Sequence, residues 1–510
     1  MRAIVIGSGP AGVSTATALL ARGRHVTMLD GGKVLEPAAV ARQAALAAQD
    51  PSDWDNAARS AWMQPQYETP AGQVRRYGSD FAMEPADATV SGAADWFALR
   101  ASHAVGGLSN LWGSAVLPYR QQDISDWPIR ADDLAPHYRA VAEFLPIAGG
   151  ADDLDKVLPA FQIEGQNRIQ PSVQAEALLA RLCAKRESLA RTGIFAGGAR
   201  QAVDTSCRRC GMCLHGCPFG LIWSARDTVK DLRANPDFTH QPGALASHVE
   251  EDPVGVTVHL EDGTAIKADR VFLGAGVLET ARILLKSGIG PRERMLKDSQ
   301  HAFLPMIQRW RNRRRPDRGP FHTLPQIFVE MELPELSARL VHAQIYTWNE
   351  HFPRDLINNY GRRLPFAKPF LTALARRLIV GQVFLHSDHS HRIALTLSPD
   401  GRLAGRLERN GGMEPALKAA TGHLAQAMAK AGLIPLTFAS RPGAPGSSFH
   451  AGATVPMARQ ASPDTSDLLG RPDGLRRVHV IDASVLPTIP ATTITFSVMA
   501  NAHRIGSLAP

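Results

Sequence analysis

No uninterrupted apolar run in this sequence is long enough to span a bilayer, which excludes a membrane-crossing helix. No secretory leader is expected, because an apolar strand begins at Arg2 and reaches a glycine turn by Gly7. Cysteine is scarce: five in 510 residues, four of them between Cys207 and Cys217. That clustering argues against a disulfide scaffold and predicts a cytoplasmic enzyme. Charge is thin, 20% of residues with a net charge of +8, so a nucleic-acid partner would require a concentrated basic face. The one candidate, Arg309 to Arg318, has no array of base-stacking aromatics beside it. It reads as a solvated loop, and no nucleic-acid partner is expected. The length predicts two or three domain-sized units.

What is present is clearest at the start of the chain. Arg2 to Asp30 read as strand, turn, helix and strand, with Gly7, Gly9 and Gly12 forming G-x-G-x-x-G at the mouth of the helix. Gly7 serves the tight turn, Gly9 the close approach of a pyrophosphate, and Gly12 the packing of helix on strand. The helix N-terminus offers amides and a partial positive charge to phosphates. Asp30, ending the next strand, is placed to accept from ribose hydroxyls.

The second chemical signal is Cys207-x2-Cys210-x2-Cys213-x3-Cys217-Pro218. This is the iron-sulfur run of bacterial ferredoxins, in which three cysteines hold one cluster and the fourth serves another. With no second run, one cluster here is [3Fe-4S] on three local ligands, favoured over [4Fe-4S] completed by Cys183. Structural zinc is the competing reading, although zinc sites usually separate two cysteine pairs by a longer loop. Cys183 itself, between Leu182 and Ala184, is expected to be a buried inert thiol.

Other segments carry weaker signals. Gly106, Gly107, Ser109 and Asn110, followed by Leu111 and Trp112, form a turn that lets backbone run close to a planar ring. Val254 to Ala268 reads as a hairpin. The strand Arg270 to Gly276, containing Ala275, feeds a helix from Leu278 to Lys286, a second approach of backbone to the same nucleotide. Strands are expected at Gln326 to Glu332 and Gly381 to His386, and an amphipathic helix at Pro415 to Ala431. His386, His389 and His391 read as solvated strand-end histidines rather than metal ligands. Arg362 to Val380 reads as a core helix with a basic outer face, the alternative being a helix lying on a membrane surface as a peripheral contact.

The last sixty residues carry H-x-x-G from His450, D-A-S-x-x-P-T from Asp482 to Thr488, and a helix from Thr493 to Arg504. With the N-terminal glycine turn, the Gly106 to Ser109 segment and G-A-G-x-x-x-T at Gly274, these motifs make the chain resemble the glucose-methanol-choline (GMC) family of flavin oxidoreductases. Within that family it is most similar to the pyranose oxidase and iron-sulfur glucose and fructose dehydrogenase branch. Cys207, Cys213 and Cys217 reproduce the dehydrogenases' C-x5-C-x3-C-P spacing, which makes Cys210 the spare thiol; the ferredoxin comparison makes it Cys217.

The resemblance implies an α/β fold with two parts. A Rossmann-like FAD-binding domain is assembled from residues 1–35, 95–135, 205–300 and 445–510. An α+β substrate-binding domain and lid comprises residues 36–94, 136–204 and 301–444. It implies FAD held by Gly7, Gly9, Gly12, Asp30, Gly106, Gly107, Ser109, Asn110, Ala275, Asp482 and Ala483. The flavin is non-covalent, since Leu111 stands where pyranose oxidases carry the linking histidine. His450 is the implied base, and Thr493 occupies the position of the family's second His or Asn, with Thr492 beside it. The implied reaction is oxidation of a CH-OH group on a sugar, glycoside or related alcohol. Its electrons leave through the cluster to a protein or quinone acceptor. The alternatives are an enzyme for a hydrophobic sterol or lipid-linked alcohol with structural cysteines, and a redox carrier or sensor with a degenerate alcohol site.

Overall fold

The computed structural model describes residues 1–63, 67–69, 72–74, 78–93, 95–158, 167–358 and 365–510. Its first unit is a five-stranded parallel sheet in the order Val478–Val480, Arg270–Leu273, β1 (Arg2–Ile6), β2 (His25–Asp30) and Phe238–Pro242. Parallel strands covered on both faces read as continuous apolar runs, and Ala3 to Ile6 and Val271 to Leu273 are all buried. Helix α1 (Pro10–Ala21) starts with proline in its first turn and packs against the C-terminal helix Thr495–Leu508. Thr15 Oγ1 donates to the Ala502 carbonyl at 2.9 Å, and a Cβ on Gly506 would meet the Thr15 carbonyl at 3.0 Å. Small residues thus let the end of the chain lie against its first helix.

The second unit is an antiparallel sheet in the order Leu433–Pro435, His301–Gln308, Leu378–Phe384, Val341–Tyr346, Ile327–Met331 and Ile194–Gly198, with Arg441–Pro442 pairing at His301–Gln308. The helix Met413–Lys430 covers it, burying Leu417, Leu424 and Met428 on one face as the 3.6-residue period requires. A third sheet, of five strands, contains Glu293–Asp298, Arg392–Leu397 and Ala451–Gly452. The expected hairpin is present as Val256–Leu260 and Ala265–Ala268. This is the α/β architecture with a second, sheet-built part that the sequence implied.

Three expectations are corrected. Cys183 is exposed: Ala175, Leu178 and Leu182 form the buried stripe of the helix Val173–Ala184, and the next residue turns about 100° away from it. His386 and His391 are buried, not solvated, and bond to local backbone: His386 Nδ1 accepts from the Asp388 amide at 3.2 Å and His391 Nδ1 from the Asn410 amide at 2.9 Å. Among the described residues of the basic stretch at 362–380, a 3-10 turn at Pro365–Ala367 leads into a short helix, Lys368–Ala375, and a strand begins at Leu378; Phe366 and Phe370 face solvent while Leu371 and Ala375 are buried. Among the described residues no helix is long and apolar enough to cross a membrane.

Candidate active site

The nucleotide turn is built by steric exclusion. Gly7 has φ +100°, and a Cβ there would lie 2.3 Å from the Gly274 carbonyl oxygen; one on Gly12 would lie 1.9 Å from the Gly7 carbonyl oxygen. A Cβ on Gly9, by contrast, would meet no protein atom within 4 Å. The two flanking glycines therefore close the turn and Gly9 leaves it open, as a phosphate cradle requires. No side chain caps α1, so its first amides remain for an anion. Asp30 Oδ1 accepts from the Gly32 amide at 2.9 Å and Oδ2 faces His240 Nε2 at 3.0 Å, which fixes the carboxylate at the strand end.

The Gly106–Gly107 turn lies against this cradle. Both glycines have positive φ, the Gly106 amide donates to Ser8 Oγ at 3.0 Å, and a Cβ on Gly107 would come 3.5 Å from the Gly9 Cα. The side chains of Ser109 and Asn110 are used internally. Ser109 Oγ donates to the Gly106 carbonyl at 2.5 Å and accepts from the Ala225 amide at 2.9 Å. Asn110 Nδ2 donates to the Val105 and Gly107 carbonyls at 2.9 and 2.8 Å, and its Oδ1 accepts from Ser224 at 3.1 Å. These two residues shape the turn.

Asp482 is likewise a brace. Its Oδ2 accepts from the Gly276 amide at 3.0 Å and Thr280 Oγ1 at 2.5 Å, and Oδ1 from the Ser484 amide at 2.9 Å. Burial raises its pKa against those bonds. It pins the 482–485 turn to the helix Val277–Lys286, which begins just after Ala275. The Ala483 carbonyl in turn accepts from the Ala453 amide at 3.0 Å, tying the His450 loop to the C-terminal segment.

His450 is half-buried, in a loop where Phe449 and Ala453 both have positive φ, +59° and +65°. Non-glycine residues adopt that region only where surroundings impose it. Here Asp298 imposes it, accepting from the Gly446 amide at 2.7 Å and Ser448 Oγ at 2.8 Å, while Ser448 Oγ accepts from the His450 amide at 3.0 Å. The His450 ring stacks on Phe384, with centroids 5.1 Å apart. Burial of the ring first, then His342 and His301 nearby, push its pKa down to about 3, so the imidazole is neutral at pH 7. Its Nδ1 is buried without a partner, as are Oγ1 of Thr492 and Thr493. The segment carrying the threonines is brought to the same end by Ser387, three residues beyond Phe384, whose amide donates to the Ile489 carbonyl at 2.9 Å.

The cysteine segment borders this region. Cys213, Leu214 and Gly216 share the lining of a small cavity with Asn110, Leu111 and Trp112. Trp62 Nε1 donates to the Gly216 carbonyl at 3.1 Å. Burial pushes the thiols of Cys207 and Cys210 up, and that of Cys213 to about 12. Tetrahedral zinc at about 2.3 Å from each sulfur would require thiolates about 3.8 Å apart. Among the described residues, the only three groups that bring potential ligand atoms within 4.8 Å of one another are His248, Glu250 and His259. The cysteines therefore do not form a single-ion site as placed; four thiols are a donor set suited to soft metals.

Buried polar atoms without partners at His450, Thr492 and Thr493, in a chain that also carries an open dinucleotide cradle, define a nucleotide-cofactor oxidoreductase. The chain belongs to the GMC oxidoreductase family, matching the family's N-terminal model over residues 1–309 and its C-terminal model over residues 416–502. Members oxidise alcohols with FAD, and the residues of the glycine cradle fit that cofactor. Among solved structures, the fold is similar to that of pyridoxine 4-oxidase from Mesorbium loti, with a TM-score of 0.58, 16% identity, and 99% of this chain and 98% of that chain covered. No curated protein sequence matches significantly.

Two features were missed in the sequence. Asp298 gave no signal, because its partners lie about 150 residues away in the chain. The other is a row across the antiparallel sheet beneath His450, three polar residues and one phenylalanine: Glu330, His342, Phe384 and His301 are successive cross-strand partners.

Proposed function

We propose that this protein is an FAD-dependent dehydrogenase that oxidises the CH-OH group of a sugar, glycoside or related small alcohol, with His450 as the base. What supports the reading is His450 itself, a half-buried neutral imidazole whose Nδ1 lies buried without a partner on a braced loop. The substrate hydroxyl gives its proton to this imidazole as the carbon-bound hydride departs, and a positioned base contributes about a hundred- to ten-thousand-fold. Bound FAD supplies the hydride acceptor. Gly7, Gly9, Gly12, Gly106 and Gly107 would hold it through backbone, with Ala275 flanking and Asp30 at the ribose. Asp482 and Ala483 would act through the backbone they brace. Thr493 and Thr492 would add hydroxyl contacts to the substrate.

The pyranose oxidase and iron-sulfur dehydrogenase branch rests on the cysteine spacing and on the contact of that segment with the Asn110 to Trp112 turn. An iron-sulfur cluster on three of Cys207, Cys210, Cys213 and Cys217 would supply one-electron chemistry toward a protein or quinone acceptor. The division into an FAD-binding part and a substrate-binding part follows the parallel and antiparallel sheets.

His450→Ala is expected to retain FAD while its reduction by an alcohol panel under anaerobic conditions slows at least a hundred-fold. Unchanged reduction would remove His450 from the mechanism. Anaerobic preparation with iron, sulfide and zinc analysis and electron paramagnetic resonance tests the cluster: about three irons per chain support it. Zinc or no metal, with peroxide formed on turnover, would replace the dehydrogenase reading by an oxidase.

A further inference from the structure

His342 and Glu330 form a pair that the reaction as described does not use. They lie opposite each other on the strands Val341–Tyr346 and Ile327–Met331, and His342 Nδ1 is 2.7 Å from Glu330 Oε1. Both side chains are 0% exposed. Directly opposed residues of antiparallel strands share a face of the sheet. The next partner of His342 across the sheet is Phe384, the ring on which His450 stacks, and His342 lies 5.9 Å from Phe384, centroid to centroid. His342 is thus placed on the face that carries the base, with one aromatic ring between them.

The unpaired atoms give this position its chemistry. His342 Nε2 is buried with no partner, and so is Glu330 Oε2. Buried polar atoms cost free energy when left bare, so these two orphans point to a polar partner that each meets in the working enzyme. The two nitrogens of an imidazole diverge, and the one opposite the Glu330 bond is turned away from that carboxyl. With Nδ1 engaged by Glu330, Nε2 is the ring atom left to meet a substrate.

We infer that His342, oriented by Glu330, donates the Nε2 hydrogen bond that holds the substrate oxygen. The inference rests on the alcohol-oxidation reading above. His342 is a catalytic residue in this assignment and Glu330 a positioning residue. As the O–H bond breaks, its proton passes to His450; as the C–H bond breaks, the hydride leaves with its electron pair to the flavin. His342 gains and loses no proton, and its N–H stabilises the negative charge that gathers on oxygen. The matching substrate class is a small polar alcohol with a further hydrogen-bond donor for the bare Glu330 oxygen, such as a polyol or a hydroxymethyl heterocycle, rather than a sterol.

The test uses FAD-loaded wild type, His342→Ala, His342→Gln, Glu330→Gln and His450→Ala, mixed anaerobically with pyridoxine, D-glucose or benzyl alcohol, with single-turnover flavin bleaching followed. His342→Ala is expected to slow reduction about a hundred- to a thousand-fold. His342→Gln, which keeps an N–H, is expected to recover at least tenfold of that loss, and Glu330→Gln to fall about ten- to a hundred-fold below wild type, as second-layer partners do. FAD content and near-ultraviolet circular dichroism should be unchanged. Independently, nitrogen-15 histidine spectra should show Nε2 of His342 protonated.

Wild-type rates in His342→Ala, equal losses in the Ala and Gln variants, or a bare Nε2 would each overturn the inference. Should His342→Ala misfold, the Gln variants and the nitrogen spectra still decide. A wild-type protein reduced by no alcohol defeats the alcohol reading and this inference with it. A normal His342→Ala beside a dead His450→Ala defeats this inference alone.

Discussion

Asp298→Asn should change how stability depends on pH, and the size of the change follows from the loop that carries His450. Asp298 is buried, and burial outweighs its bonds from Gly446, Ser448 and Ser299 to push its pKa from 3.8 up to about 6. Between those values the folded protein retains a proton that the unfolded chain has released. This contribution is therefore fully present below pH 3.8 and is lost as pH rises through about 6. The gap corresponds to about 3 kcal/mol at 1.36 kcal/mol per pH unit. Asparagine does not titrate and still offers one acceptor oxygen to the loop. Urea unfolding of the two proteins, followed by tryptophan fluorescence from pH 4 to 7.5, should show wild type losing about 3 kcal/mol relative to the variant across that range. A flat difference, or wild type gaining on the variant as pH rises, would refute an unfavourably buried carboxyl at the foot of the His450 loop.

Gly9→Ala should give a protein as stable as wild-type apoprotein but poor in FAD by acid extraction, because the added methyl meets no protein atom and projects into the cradle; Gly12→Ala should lose stability as well, its methyl falling 1.9 Å from the Gly7 carbonyl oxygen. Equal FAD content in Gly9→Ala and wild type would place the pyrophosphate elsewhere. Cys183→Ser should leave iron content unchanged, since that thiol is exposed; iron loss in this variant would make Cys183 a ligand.

The parts legible in the sequence were those whose cause is local. The strand, turn and helix at Arg2–Ala21 could be read because Gly7 and Gly12 each answer a clash within the turn or with one neighbouring strand, while Gly9 keeps the cradle open. The stripe Leu417, Leu424 and Met428 followed from helical period alone. His450 was singled out through the motif around it, and the structure places its ring against Phe384. Cys183 was misplaced because neighbours in sequence were weighed instead of the helical period that sets its direction. His386 and His391 were misplaced because strand ends are often solvated, whereas these are covered by the chain returning at Ile489 and Asn410. The Asp298 brace and the Glu330–His342 pair were illegible for a common reason. Each joins residues that only sheet register or a distant loop brings together, and single-sequence periodicity holds no trace of either.

The row Glu330, His342, Phe384 and His301 occupies one level of four neighbouring strands. Because side chains alternate with a period of two, deleting or inserting one residue within Val341–Tyr346 would turn His342 to the opposite face and leave Glu330 without its partner. The loops joining these strands carry no such constraint. The chain is therefore free to alter substrate access by lengthening connections, but strand lengths in this sheet tolerate change only in pairs of residues. In this architecture the spacing of the chemistry is held by strand register, and variation in what the enzyme accepts falls to the loops.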